Sequence, residues 1–182
     1  MASNKKKRNA QPQIKSLKTE IVATRVAAFW YMEPPETSLI RAAQFELNFR
    51  YFIPETLDRI EIATQLSFGC FIDEKANAPT PVSELTTICT FVVVGLADLK
   101  LQDGMIALPA KIIRQLTLAA HGTARGLLVS KLAQTPFENA MIPLMDEQAL
   151  KPHPEIHKDF FVFHIGPNPN IPPDSPNKSN PE

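Results

Sequence analysis

The sequence predicts an α+β fold: a four-stranded antiparallel sheet followed by a long helix and a short second helix. Two observations carry this. Four strand-like runs, two with apolar residues at every second position and two more uniformly apolar or β-branched, are followed beyond Gly104 by apolar spacing in threes and fours. Strands come first and helices follow, the order of an α+β domain and not of alternating parallel-sheet units.

Residues 1–18 are polar and basic, with Lys5-Lys6-Lys7-Arg8 and Pro12 and no sustained period. They read as a flexible arm whose charges are solvated. From Glu20 the chain turns β-branched and aromatic, Ile21-Val22-Ala23-Thr24-Arg25-Val26-Ala27-Ala28-Phe29-Trp30-Tyr31, and stops at Pro34-Pro35, as a first strand and its loop would. In the second strand Phe45, Leu47, Phe49 and Tyr51 share one face, with Glu46, Asn48 and Arg50 on the other. Ile60, Ile62, Leu66, Phe68, Cys70 and Ile72 repeat along the third, opposite Glu61, Gln65 and Ser67. Asp73 to Pro81 reads as a turn, and Leu85 to Leu96 as a fourth, more uniformly apolar strand. Such alternation marks an antiparallel sheet with one covered face.

Pro109 suits the first position of a helix, where its fixed φ is already helical and its missing N–H costs nothing. Ile113, Leu116, Ala120, Ala124, Leu127 and Leu128 then form an amphipathic stripe, so the helix should run from about Pro109 to Lys131. Its middle holds Ala119, Ala120, Gly122, Ala124 and Gly126. These small residues imply close packing, for which a helix of a partner subunit is the natural candidate, or else a kink. After Thr135-Pro136 an irregular apolar stretch ends in Asp146-Glu147-Gln148-Ala149-Leu150, a short second helix. The expected organisation is a basic arm over 1–18, a folded domain over 19–151 and a Pro/Asn-rich tail over 152–182. The tail is interrupted by Phe160-Phe161-Val162-Phe163, an edge strand or a docking segment.

Composition narrows the function. Nineteen basic residues balance nineteen acidic ones, which argues against a dedicated nucleic-acid binder. Cys70 and Cys89 sit in apolar strand-like runs and read as free buried thiols. The basic opening leads into Asn, Gln and Pro and not into an apolar signal segment, and no run is long enough for a membrane helix. The expectation is a soluble cytoplasmic protein without membrane insertion.

Chemistry-bearing patterns are sparse. The six glycines form neither a phosphate loop nor a dinucleotide fingerprint. His153 and His157 have the i, i+4 spacing of helical metal ligands, but Pro152 and Pro154 oppose that helix, so neither metal nor cofactor is expected. Asp98, Asp103 and Asp146 read as turn or cap residues. Ser130 with His121 is a nucleophile–base pair that nothing in the sequence orients, and an enzyme is not expected.

Against this pattern, short blocks match a known family. Phe91-Val92-Val93-Val94-Gly95-Leu96-Ala97-Asp98-Leu99 ends an apolar strand in Gly-Leu, an acidic residue and Leu. Thr123-Ala124-Arg125-Gly126, Thr135-Pro136-Phe137 and Ile142-Pro143-Leu144 follow at matching spacing, with Leu150 near the end. In these blocks the chain resembles the SecB export chaperones and, more closely, their divergent SecB-like relatives, across about Ile21 to Leu150. The resemblance implies an ATP-independent holding chaperone with no cofactor, whose clients are unfolded preproteins or an aggregation-prone antitoxin of a toxin–antitoxin system. It also implies dimers that stack into tetramers. The chain lacks the family's Cys-Pro-Asn segment before the helix and its acidic balance. Docking to the translocase motor SecA depends partly on acidic surface in that family; export or delivery is the expected role, and a dedicated antitoxin chaperone, which fits this departure, is the alternative.

Carried over by position, the client groove would be walled by Phe29, Trp30, Tyr31, Met32 and Leu39 on one side. Met141, Ile142, Leu144 and Met145 would form the other. Aromatics supply area at low entropy cost, and methionines adapt to varied partners. The oligomer interface would use Val22 and Val26 of the first strand with Ala119, Ala120 and Ala124 of the helix. The alternative from another class is a scaffold subunit of the same fold, holding one folded partner.

Overall fold

The computed structural model describes residues 17–34, 40, 42–72, 78–101, 104–145 and 159–166. Strands β1 (Lys18–Tyr31), β2 (Ala42–Phe52), β3 (Arg59–Phe71) and β4 (Thr80–Val94) form one antiparallel sheet in the order β1-β4-β3-β2. The alternation has the expected cause: Ile60, Ile62, Leu66, Phe68 and Cys70 of β3 are buried, and Phe45, Leu47, Phe49 and Tyr51 of β2 pack beside them. β2 and β3 pair without interruption from Ala42↔Phe71 to Phe52↔Glu61. β1 instead shifts register twice against β4, between Ile21 and Ala23 and between Val26 and Ala28. Each extra residue increases the local twist of this edge strand.

Gly95 ends β4 at φ 90, a left-handed backbone that glycine adopts without a Cβ clash, and the chain drops into a short 3-10 turn over Leu96–Leu99. Leu96 and Leu99 plug the end of the core there. This is the physical content of the Gly-Leu block in the sequence.

Two elements then depart from expectation. Met105–Pro109 is a strand, β5, and the helix α1 spans Ala110–Leu132, starting one residue after the proline. The N–H of Ala110, an orphan donor at a helix start, reaches the carbonyl of Asp159 at 2.8 Å. Asp159 leads directly into β6 (Phe160–His164), antiparallel to β5, so the aromatic island is a strand. α1 runs unbroken through Gly122 and Gly126, and a Cβ on either would meet nothing within 4 Å. No second helix packs on those glycines among the described residues. Residues 133–139 form turns, and Asp146–Leu150, where the short helix was expected, lies outside the described residues.

α1 lies across β3 and β4 on one face of the sheet. Beneath it the core divides into two apolar clusters. Ile60, Ile62, Cys89, Phe91, Ile113, Leu116 and Ala120 belong to the first, flanked by Phe161 and Phe163 of β6. Leu66, Phe68, Leu85, Ala124, Leu128, Leu132, Phe137 and Ile142 belong to the second. Thr64, Thr87 and His121 are buried at sequence positions between the two sets, and Thr117 is buried within the helical part of the first. Thr117 Oγ1 donates to the Ile113 carbonyl at 2.7 Å and lies 2.9 Å from the Tyr51 hydroxyl, tying β2 to the helix at this level.

Candidate functional site

The sequence singled out β1 and the segment after α1, and the structure leaves apolar side chains open on both. Along β1 and its continuation, Ile21, Val22, Val26, Trp30 and Met32 are exposed large hydrophobics. Pairing shows how they are presented. Ile21, Val26, Phe29 and Tyr31 stand opposite Phe91, Thr87, Leu85 and Ser83, all buried, and therefore on the helix side of the sheet. Trp30 stands opposite Glu84 on the other face. α1 covers β3 and β4, which leaves the β1 part of the helix side largely open. At its end Lys131 Nζ sits 5.4 Å from the centre of the Phe29 ring, a cation–π contact linking helix and edge strand. Met32 N–H donates to the Val82 carbonyl at 2.8 Å and prolongs the β1–β4 ladder by one residue.

The second part follows the helix. Met141 is 88% exposed and Leu144 79% exposed, the two most open large hydrophobics among the described residues. Between them Ile142 is only 3% exposed, against the expectation that it lies on the groove surface: it packs into the second core cluster together with Phe137. Arg125 Nε donates to the Ile142 carbonyl at 3.0 Å, and the Phe137 ring meets Phe68 edge-on at 4.8 Å. Met145, Phe29 and Tyr31 are half-buried. Leu39 lies outside the described residues.

The expected interface residues divide similarly. Val22, Val26 and Ala119 are exposed. Ala120 and Ala124 are fully buried against the subunit's own sheet, so both are corrected to core residues. Their position on the Ile113–Leu128 stripe is the reason: that stripe faces β3 and β4. The outward helix face is Ala119, Gly122, Gly126 and Val129, and of these the sequence singled out only Ala119 as an interface residue. Phe68 and Arg125, which seat the post-helix segment, were also not among the site residues. The period-2 strand pattern marked Phe68 as apolar, but nothing local announced its partner in Phe137.

Ser130 and His121 do not come together. They are nine residues apart on α1, half a turn out of phase, with Ser130 exposed and His121 buried. Burial holds the His121 imidazole below its ordinary pKa, and the Arg125 guanidinium pushes it down further. The folded state therefore keeps His121 neutral where the unfolded chain, near 6.5, has begun to protonate. Its contribution is fully present above about pH 6.5 and is lost as pH falls through the lowered folded value. We expect the urea midpoint to drop between pH 7.5 and pH 5, with a smaller drop in His121→Gln; equal slopes in the two proteins would remove His121 as the cause. No group of three or more potential metal ligands occurs among the described residues, and no described helix is long and apolar enough to cross a membrane.

The architecture defines the class: an α+β domain whose antiparallel sheet carries one long helix on a single face. No protein-family model matches the chain. No curated protein matches either. Among solved structures, the Mycobacterium tuberculosis Rv1957 SecB-like chaperone, in complex with a ChAD peptide from the Rv1956 HigA1 antitoxin, aligns with a TM-score of 0.40 and 11% identity. The alignment covers 70% of this chain and 88% of that one.

Proposed function

We propose that this protein is a non-enzymatic, ATP-independent holding chaperone of the cytoplasm that binds unfolded or aggregation-prone polypeptide on apolar surface. One observation carries the reading: large hydrophobics stand open on two separate elements, Ile21, Val22, Val26, Trp30 and Met32 on the first, Met141 and Leu144 on the second. Clustered exposure of this kind marks interaction sites on soluble proteins. Burial of such side chains by a client contributes about 25 cal/mol per Å². The outer edge of β1 has no partner strand among the described residues, so its free backbone groups can accept an extended segment of any sequence. Two-sided exposure of β1 also favours a homo-oligomer that buries part of it through Val22 and Val26. Several client sites on one assembly then act together through effective concentration.

Within this reading the client is an unfolded preprotein or an aggregation-prone antitoxin, with SecA docking belonging only to the export version. The deciding experiment is light scattering from an unrelated denatured protein, without nucleotide. Suppression at less than one assembly per client is expected, and Met141→Ser/Leu144→Ser should bind about tenfold more weakly, the equivalent of roughly 1.4 kcal/mol. Undiminished aggregation at equimolar assembly would sink the proposal. The assembly itself should weigh at least twice the 20.3 kDa of one chain.

A further inference from the structure

The charge on α1 is one-sided. Across Ala110–Leu132 the helix carries Lys111, Arg114, Arg125 and Lys131 and no aspartate or glutamate, in a chain whose nineteen basic and nineteen acidic residues balance overall. Arg114, His121 and Arg125 share one flank, because spacings of seven and four residues keep them within about 40° around the helix axis. Thr117, on the turn before His121, bonds the Tyr51 hydroxyl of β2. Arg125 Nε bonds the carbonyl of Ile142, which belongs to the cluster that Phe45 and Leu47 of β2 pack against. The flank therefore overlooks β2, the edge strand farthest from β1. Phe45, Leu47 and Phe49 are half-buried there, an apolar shelf beside the guanidinium groups. Neither arginine has a counter-charge: among the described residues the ion pairs are those of Arg59 with Asp58 and Glu61. Glu46, Glu61 and Glu84 of β2, β3 and β4 alternate with the inward residues and point to the opposite face of the sheet, where Glu46, Ser67, Glu84 and Trp30 stand in one row. Arg114 Nε is shielded from solvent and has no hydrogen-bond partner among the described residues. A shielded, charged donor left unpaired is costly, and a carboxylate is its natural complement.

We infer that this flank is a carboxylate-binding site, which selects client segments whose aspartate or glutamate residues are interleaved with apolar ones. The inference rests on the holding-chaperone reading and names its substrate class. Arg114 and Arg125 present guanidinium forks that match a carboxylate in two hydrogen bonds each, while the client's apolar side chains settle on Phe45, Leu47 and Phe49. The two arginines are eleven residues apart, about 16 Å along the helix. An extended chain covers that distance in about five residues, which sets the spacing of the carboxylates in the best clients. Nucleic acid would also satisfy the arginines, but it has no use for the apolar shelf, and the carboxylates on the opposite face repel it.

The test uses the full-length protein at pH 8, where His121 is neutral, and fluorescein-labelled peptides that share their apolar residues. Two positions five residues apart are filled by glutamate, glutamine or lysine. In fluorescence anisotropy the glutamate peptide should bind about tenfold more tightly than the glutamine peptide, and the lysine peptide more weakly still. The glutamate advantage should shrink as ionic strength rises from about 0.1 M to about 1 M. Arg114→Gln should lose about fivefold in affinity for the glutamate peptide and keep its affinity for the glutamine one, with Arg114→Lys in between because it restores the charge without the fork. If Arg114→Gln does not fold, the three peptides on the unaltered protein decide the matter. Equal binding of the glutamate and glutamine peptides, or displacement of the glutamate peptide by an equal concentration of single-stranded oligonucleotide, overturns the inference and leaves the chaperone reading standing. Failure of all three peptides to bind, together with undiminished aggregation in the light-scattering assay, overturns both.

Discussion

Phe68→Ala will lower the stability of the domain by about 3–5 kcal/mol, the range for emptying a fully buried phenylalanine site. Phe68 is 1% exposed and lies in the middle of the second cluster. Its ring stacks on Phe45 at 4.8 Å and 20°, and receives Phe137 edge-on at 4.8 Å and 81°. Loss of the ring therefore loosens β2 and the post-helix segment together. Domains of this size hold about 5–15 kcal/mol in total, so the variant should sit close to the edge of folding. Urea unfolding with an unchanged slope is the check, and a loss below about 1 kcal/mol would show that the cluster collapses around the vacancy.

Ala124→Leu should cost about 1–3 kcal/mol through overpacking, and Ala120→Leu the same. Both methyls are fully buried between α1 and its own sheet. The mass measured by light scattering should hold in the folded fraction, whatever its value for the wild type. Had these alanines faced a partner helix, the mass would fall while the subunit kept its unfolding midpoint. Ala119→Leu, one residue away on the outward face, should stay within about 0.5 kcal/mol of wild type. The three substitutions together separate an internal small-residue contact from an external one.

That distinction shows what sequence patterns carry. The middle two strands were legible because an antiparallel sheet with one covered face writes its period into every second residue, as in Ile60, Ile62, Leu66 and Phe68, and the outer calls rested on β-branched and apolar content. The helix was legible from the Ile113–Leu128 stripe. β5 was not, because five residues ending in a proline hold too little pattern, and its partner Phe160–His164 comes about fifty residues later. Small residues on a helix announce that something comes close without saying what, which is why Ala120 and Ala124 read as an interface. Ile142 read as surface for a related reason. Its burial depends on Arg125 and Phe68, contributed by other elements, and an irregular segment has no period to reveal an inward face.

The strand order has a consequence for biosynthesis. β1 is made before the other strands of its sheet, yet its neighbour there is β4, which begins at Thr80, nearly fifty residues after Tyr31. At translation rates of about 5–20 residues per second, Ile21 to Tyr31 wait for several seconds with no ladder to join. The nascent chain is then, briefly, a sticky polypeptide of the kind the finished protein is proposed to shelter.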